Sequence, residues 1–109
     1  MSQEPLPVLP ASSHSAPRSP EELERIALLF KTLGEPMRLR ILQCVCLGPK
    51  FVGEIVAATG STQPNVSKHL ALLLSSGILE RRKDGQRVLY SLKNPLVMRL
   101  CEAVSSSLD

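Results

Sequence analysis

STQPNVSKHLALLLSSG, residues 61–77, is the stretch on which the reading of this chain turns. Val66, Leu70 and Leu73 recur at intervals of four and three, which is the spacing of one helix face. Thr62 suits the N-cap, Pro64 falls in the first turn, and Gly77 marks the end. Around that apolar seam, Ser61, Thr62, Gln63, Asn65, Ser67, Lys68 and His69 crowd into the first two turns. Short hydrogen-bonding side chains at the start of a helix are what a DNA major groove selects for. Base edges are reachable there, Gln and Asn pair bidentately with adenine, and Ser or Thr serve bases or phosphates. The helix N-terminus favours a phosphate, and Lys68 adds attraction that does not depend on sequence. Each residue also has a plainer reading: caps and a wet face for the polar ones, a packed or solvent-facing ring for His69.

The flanking segments decide between these readings. Upstream, residues 52–59 predict a short helix with Ile55 and Val56 apolar, closed by Gly60. Before it, a helix from Pro36 carries Leu39, Leu42, Val45 and Cys46 on one face and stops at Gly48-Pro49. The first helix opens at Ser19-Pro20-Glu21-Glu22, a capping box with proline at the first helical position. Leu23, Ile26, Ala27, Phe30 and Leu33 then follow at helical spacing, up to Gly34. Downstream, ILERR (78–82) and RVLYSL (87–92) flank KDGQ, and Asp-Gly between two extended runs predicts a hairpin. Asn94 and Pro95 open a last helix with an apolar seam of Val97, Leu100, Cys101, Val104 and Leu108. The predicted fold is mainly α with a small β-hairpin, in the order α-α-α-α-β-β-α: a winged helix-turn-helix. In that layout Arg81, Arg82, Lys83 and Arg87 surround the hairpin turn, where they can reach the phosphate backbone.

Composition sets the bounds. The chain has 109 residues, is 43% hydrophobic, and has Tyr90, Phe30 and Phe51 as its aromatic residues. That is one small domain, 20–109, with a core of Leu, Ile and Val that a partner subunit would help stabilise. Residues 1–19, with Pro5, Pro7, Pro10 and Pro17 among Ser and Ala, predict a disordered tail whose His14 is solvated. The net charge of +3 leans toward an anionic partner. Three cysteines do not suggest a secreted disulfide framework, there is no signal-peptide pattern, and no apolar run nears the ~20 residues of a membrane span. The expectation is a cytoplasmic protein without a membrane partner.

The combination resembles the ArsR/SmtB bacterial repressors. The likeness is carried by TGSTQPNVSKHLALL (59–73), by KTLGEPMRLRIL (31–42) and by ERRKDGQRVLYSL (80–92), and it covers roughly residues 22–105. The resemblance implies a winged-helix homodimer joined through its first and last helices. It also implies binding to an imperfect palindromic operator in double-stranded DNA, and repression until an inducer lowers the affinity.

The resemblance does not carry over a sensor site. The arsenic- and cadmium-type Cys-x-Cys belongs on the short helix before the recognition helix, where this chain has Phe51-Val52-Gly53-Glu54-Ile55. The zinc-type site uses Asp, His and Glu on the last helix, which has no His here. Cys44-Val45-Cys46 lies about two turns too early, and residues two apart on a helix point some 200° apart. Thiol-based members pair a second-helix cysteine with a last-helix cysteine, which would match Cys44 or Cys46 with Cys101. Two readings stay open: the thiols pack as small hydrophobes, with Cys46 the one expected in the core, or they sense As(III), another thiophilic ion, an oxidant or a persulfide.

Catalysis finds no support. A thiol oxidoreductase wants its cysteine at a helix N-terminus or beside fixed positive charge, whereas Cys44 and Cys46 sit near a helix C-terminus, where the dipole opposes a thiolate. His69 has no evident Ser or Cys partner. A winged helix used solely for protein contacts is the remaining rival, and weak salt dependence would mark it.

Overall fold

The computed structural model describes residues 17–108; most of the expected tail, His14 included, and Asp109 lie outside them. Among the described residues, five helices and three strands follow one another as α1 (Pro20–Leu33), α2 (Pro36–Cys46), β1 (Lys50–Phe51), α3 (Val52–Thr59), α4 (Gln63–Ser75), β2 (Leu79–Asp84), β3 (Arg87–Leu92) and α5 (Leu96–Leu108). This is a winged helix-turn-helix.

Ser19 and Thr62 cap their helices as the sequence predicts, but Glu22 does not return to the Ser19 N–H to complete the expected capping box. Ser19 Oγ accepts from the Glu22 N–H at 3.1 Å, and Glu22 turns its carboxylate to Arg18 at 3.4 Å. Thr62 Oγ1 accepts from the Asn65 N–H at 3.3 Å, with Pro64 in the first turn of α4. The α3–α4 turn needs Gly60, whose φ of 68° places it in the left-handed region that glycine occupies without strain.

Val66, Leu70 and Leu73 of α4 meet Ile41, Leu42 and Val45 of α2, Ile55 of α3, Ile78 and Leu79 before and at the start of β2, and Val97 of α5. This is the core, and α4 runs through it. The ring of helices therefore grips the inner side of α4 and leaves its opening turn facing out.

Three further expectations need correction. The wing is not a lone hairpin: the sheet has three antiparallel strands in the order β1-β3-β2, with Lys50 opposite Tyr90 and Phe51 opposite Leu89. A two-residue strand has no periodicity of its own, and pairing with β3 creates it. The hairpin turn is Gly85-Gln86, with Asp84 already paired to Arg87 in the ladder, so the bend sits one residue later than Asp-Gly suggests. Cys46, expected in the core, is exposed instead. The buried face of α2 is centred on Ile41, Leu42 and Val45, while Leu39 lies at its outer edge and is also exposed. Cys46 ends the helix and its Sγ donates to the Gln43 carbonyl at 3.0 Å. Cys44 is the α2 cysteine that packs against the core, half-buried.

Candidate nucleic-acid interface

The opening turns of α4 divide the predicted contact residues into two groups. Thr62, Gln63, Ser67 and Lys68 are exposed. Ser61 and Asn65 are half-buried and bonded to each other, Asn65 Nδ2 donating to Ser61 Oγ at 2.8 Å. That bond ties the first turn of α4 back to the residue before its cap, so Asn65 holds the turn in shape. The two residues lie four apart in the sequence, and that spacing is the signal a sequence offers for the bond.

His69 is set apart from the others. It is 9% exposed, and its Nδ1 lies 3.3 Å from Arg38 Nη1. A guanidinium only donates, so in a hydrogen bond between the two, His69 Nδ1 is the acceptor. Glu35 Oε2 stands 4.0 Å from the same nitrogen. Arg38 also donates from Nε to the Thr32 carbonyl at 2.6 Å and from Nη2 to the Lys31 carbonyl at 3.5 Å. One guanidinium thus caps the C-terminal end of α1 and holds α4 from behind. His69 is therefore turned away from the outward face, and the packing of α4 accounts for it.

Across from α4 stands the wing. Arg81, Arg82, Lys83 and Arg87 are all exposed. The register separates them: Arg81 is opposite Tyr90 and Lys83 opposite Val88, while Arg82 is opposite Leu89 and Asp84 opposite Arg87. Successive residues of a strand point to opposite faces, so Arg82 and Arg87 share one face and Arg81 and Lys83 the other. The four do not form one cluster. A hollow between α4 and the wing is lined by Gln63 and Ser67 on one side and by Gln86 and Arg87 on the other, with Phe51 and Tyr90 among its walls. Amide, hydroxyl and guanidinium groups thus flank one concave surface. Phe51, which no motif in the sequence marks as functional, puts its ring 3.6 Å from the Arg87 guanidinium carbon.

The thiols lie apart. Cys44 lines a hollow with Arg40, Gln43, Leu47, Lys50, Ala58 and Thr59. Burial pushes its thiol up, against the pull of Lys50. Cys101 lines a separate, apolar groove of ≈ 380 Å³ with Phe30 and Leu33 of α1, Leu39 of α2, and Leu100 and Val104 of α5. Within one chain Cys44 and Cys101 therefore open into different hollows. Among the described residues, no group of three or more His, Cys, Asp or Glu is placed to hold a metal ion. No described helix is long and apolar enough to cross a membrane.

Residues 35–81 match the family model described as bacterial regulatory protein, arsR family. The Biofilm growth-associated repressor of Agrobacterium fabrum is 32% identical over 88 residues, covering 81% of this chain and 75% of that protein. The chain belongs to the ArsR family. It is accordingly a bacterial regulatory protein built on a winged helix-turn-helix. The protein of Streptomyces lividans named Probable mercury resistance operon repressor is 38% identical over 74 residues, covering 68% of this chain and 59% of that protein. A solution structure of a homodimeric winged helix-turn-helix DNA-binding domain from Mycobacterium bovis superimposes with a TM-score of 0.74 at 32% identity, covering 86% of this chain and 90% of that one.

Proposed function

We propose that this ArsR-family repressor acts in the cytoplasm as a homodimer. Gln63, Ser67, Thr62 and Lys68 enter the major groove of an operator, and Arg87, Arg82, Arg81 and Lys83 of the wing reach the adjoining phosphates. The observation that carries the reading is the hollow shared by α4 and the wing, with Gln63 and Ser67 facing Gln86 and Arg87. Ser61 and Asn65 serve in it by fixing the turn, and His69 by seating α4 on Arg38.

The dimer uses α1 and α5. Phe30 is 58% exposed and Val104 55% exposed on the walls of one apolar groove, which is a costly surface to leave in water. The Mycobacterium bovis relative is a homodimer, and a second copy of this chain supplies a matching surface by two-fold symmetry.

The test measures affinity for a duplex from upstream of the protein's own gene and for a random-sequence duplex. Gln63→Ala is expected to weaken the first by ~1–3 kcal/mol and leave the second nearly unchanged. Equal weakening on both would sink the base-reading role. Binding that barely falls as salt rises would favour the winged helix used for protein contacts.

A second reading concerns release of the operator by a thiophilic ion, an oxidant or a persulfide. It is supported by Cys101 in the apolar groove, where an added group would put bulk or charge between subunits. The Streptomyces lividans relative carries mercury resistance in its name. Titrating Hg(II), arsenite, an oxidant and a persulfide donor into the DNA complex checks it: the wild type should lose affinity and Cys101→Ser should resist. If no agent changes affinity, Cys44, Cys46 and Cys101 are packing and surface residues alone.

A further inference from the structure

We infer that Phe51 is a positioning residue for DNA binding, acting through Arg87, and this rests on the wing contact proposed above. Arg87 is the first residue of β3, directly after the hairpin turn. An arginine in that place carries one of the largest side-chain entropies of any residue, and that freedom is lost when a phosphate takes hold of it. In this molecule the guanidinium is already stacked, its central carbon 3.6 Å from the centre of the Phe51 ring.

The backbone accounts for the contact. Phe51 pairs with Leu89, and Arg87 lies two residues before Leu89 on the same face of β3. Phe51 is also the last residue of β1, so no further strand residue covers Arg87 on that side, and the diagonal neighbour is the ring. Phe51 itself is held at the junction of β1 and α3: its N–H donates to Glu54 Oε1 at 2.9 Å. The brace therefore starts from the helix-turn-helix body and ends on the wing.

Stacking suits a phosphate contact. A guanidinium lies flat on an aromatic face, which leaves its N–H groups pointing outward in the guanidinium plane. The face is used by Phe51, and the edges remain for phosphate oxygens. The same hollow carries Gln63 and Ser67, so the brace sets where the wing charge stands relative to the recognition helix. A leucine would fill comparable space at position 51 without offering a π face.

Wing–phosphate contacts are independent of base sequence, so a random-sequence duplex is the probe. Affinity is measured at several salt concentrations for wild type, Phe51→Leu, Phe51→Tyr, Phe51→Trp, Arg87→Ala and the double variant Phe51→Leu/Arg87→Ala, with thermal melts to confirm folding. Arg87→Ala should weaken binding and lower the salt slope by about one per bound subunit. Phe51→Leu should weaken it about two- to fivefold per subunit, Phe51→Tyr and Phe51→Trp should retain it, and Phe51→Leu should have no effect once Arg87 is alanine. If Arg87→Ala weakens binding but Phe51→Leu does not, or the two effects multiply, the brace is refuted and the wing contact stands. If Arg87→Ala changes nothing, the wing contact and the brace both fall.

Discussion

Helices α4 and α5 are each thirteen residues long and each carries an apolar seam, yet they end in opposite environments. Val66, Leu70 and Leu73 of α4 are at most 1% exposed. On α5, Val97 is buried, Leu100 and Cys101 are half-buried, and Val104 and Leu108 stand in the open at 55% and 79%. The same periodic pattern has thus been completed once within the chain and once left incomplete. A seam closed by its own chain stabilises the subunit by itself, while a seam left open gains its burial energy only from a second molecule. α1 sides with α5: Leu23, Leu28 and Phe30 are all more than half exposed, and Thr32 is its one buried side chain. Helix α4 is therefore seated by the subunit's own core, while α1 and α5 carry the open apolar surface that the proposed dimer would cover.

The strongest way to break this contrast is to cut into the closed seam. Leu70→Ala empties a position that is 1% exposed within the core cluster. It should cost about 2–5 kcal/mol of unfolding free energy, the range for leucine truncation in a packed core. Urea denaturation followed by far-ultraviolet circular dichroism measures this, since the chain has no tryptophan. A cost below about 1 kcal/mol would mean that α4 does not depend on the subunit's own core.

The contrast also shows what a sequence can and cannot display. The α4 seam, its Thr62 cap and its Gly60 turn are all legible, because each is a local pattern read at fixed offsets. The wing's existence is legible from Asp84-Gly85, but β1 is not, since Lys50-Phe51 becomes a strand only through β3. Cys46 reads as a core residue because it shares a face with Leu39 and Leu42. That face is centred instead on Ile41 and Val45, and three helical positions do not fix the centre of a stripe. His69 looks like one more polar residue in a polar run. Its partner Arg38 is 31 residues away, and no local pattern announces a bond of that kind. The Phe51–Arg87 stack is hidden for the same reason. The α5 seam is legible as apolar, but whether it closes within the chain or against another copy is a matter of tertiary geometry.

A gentler cut into the open seam sharpens the contrast, and its effect is smaller and of a different kind. Val104→Ala removes two methyl groups from a residue that is 55% exposed in the single chain. In a dilute monomer those methyls already touch water, so unfolding should shift by no more than about 0.5 kcal/mol. Where two copies meet across the α1–α5 groove, the same methyls become buried and removing them costs about 1–2 kcal/mol per subunit. Sedimentation equilibrium over a range of protein concentrations separates the two: the dimer dissociation constant should rise for Val104→Ala, and helix content should stay as in the wild type. Operator affinity should then fall at low protein concentration and recover when the concentration is raised, because Val104→Ala weakens the joining of two copies and leaves the DNA-facing surface intact. If the dissociation constant does not move, Val104 lies outside the surface where copies meet and the assignment of the α5 seam to assembly fails.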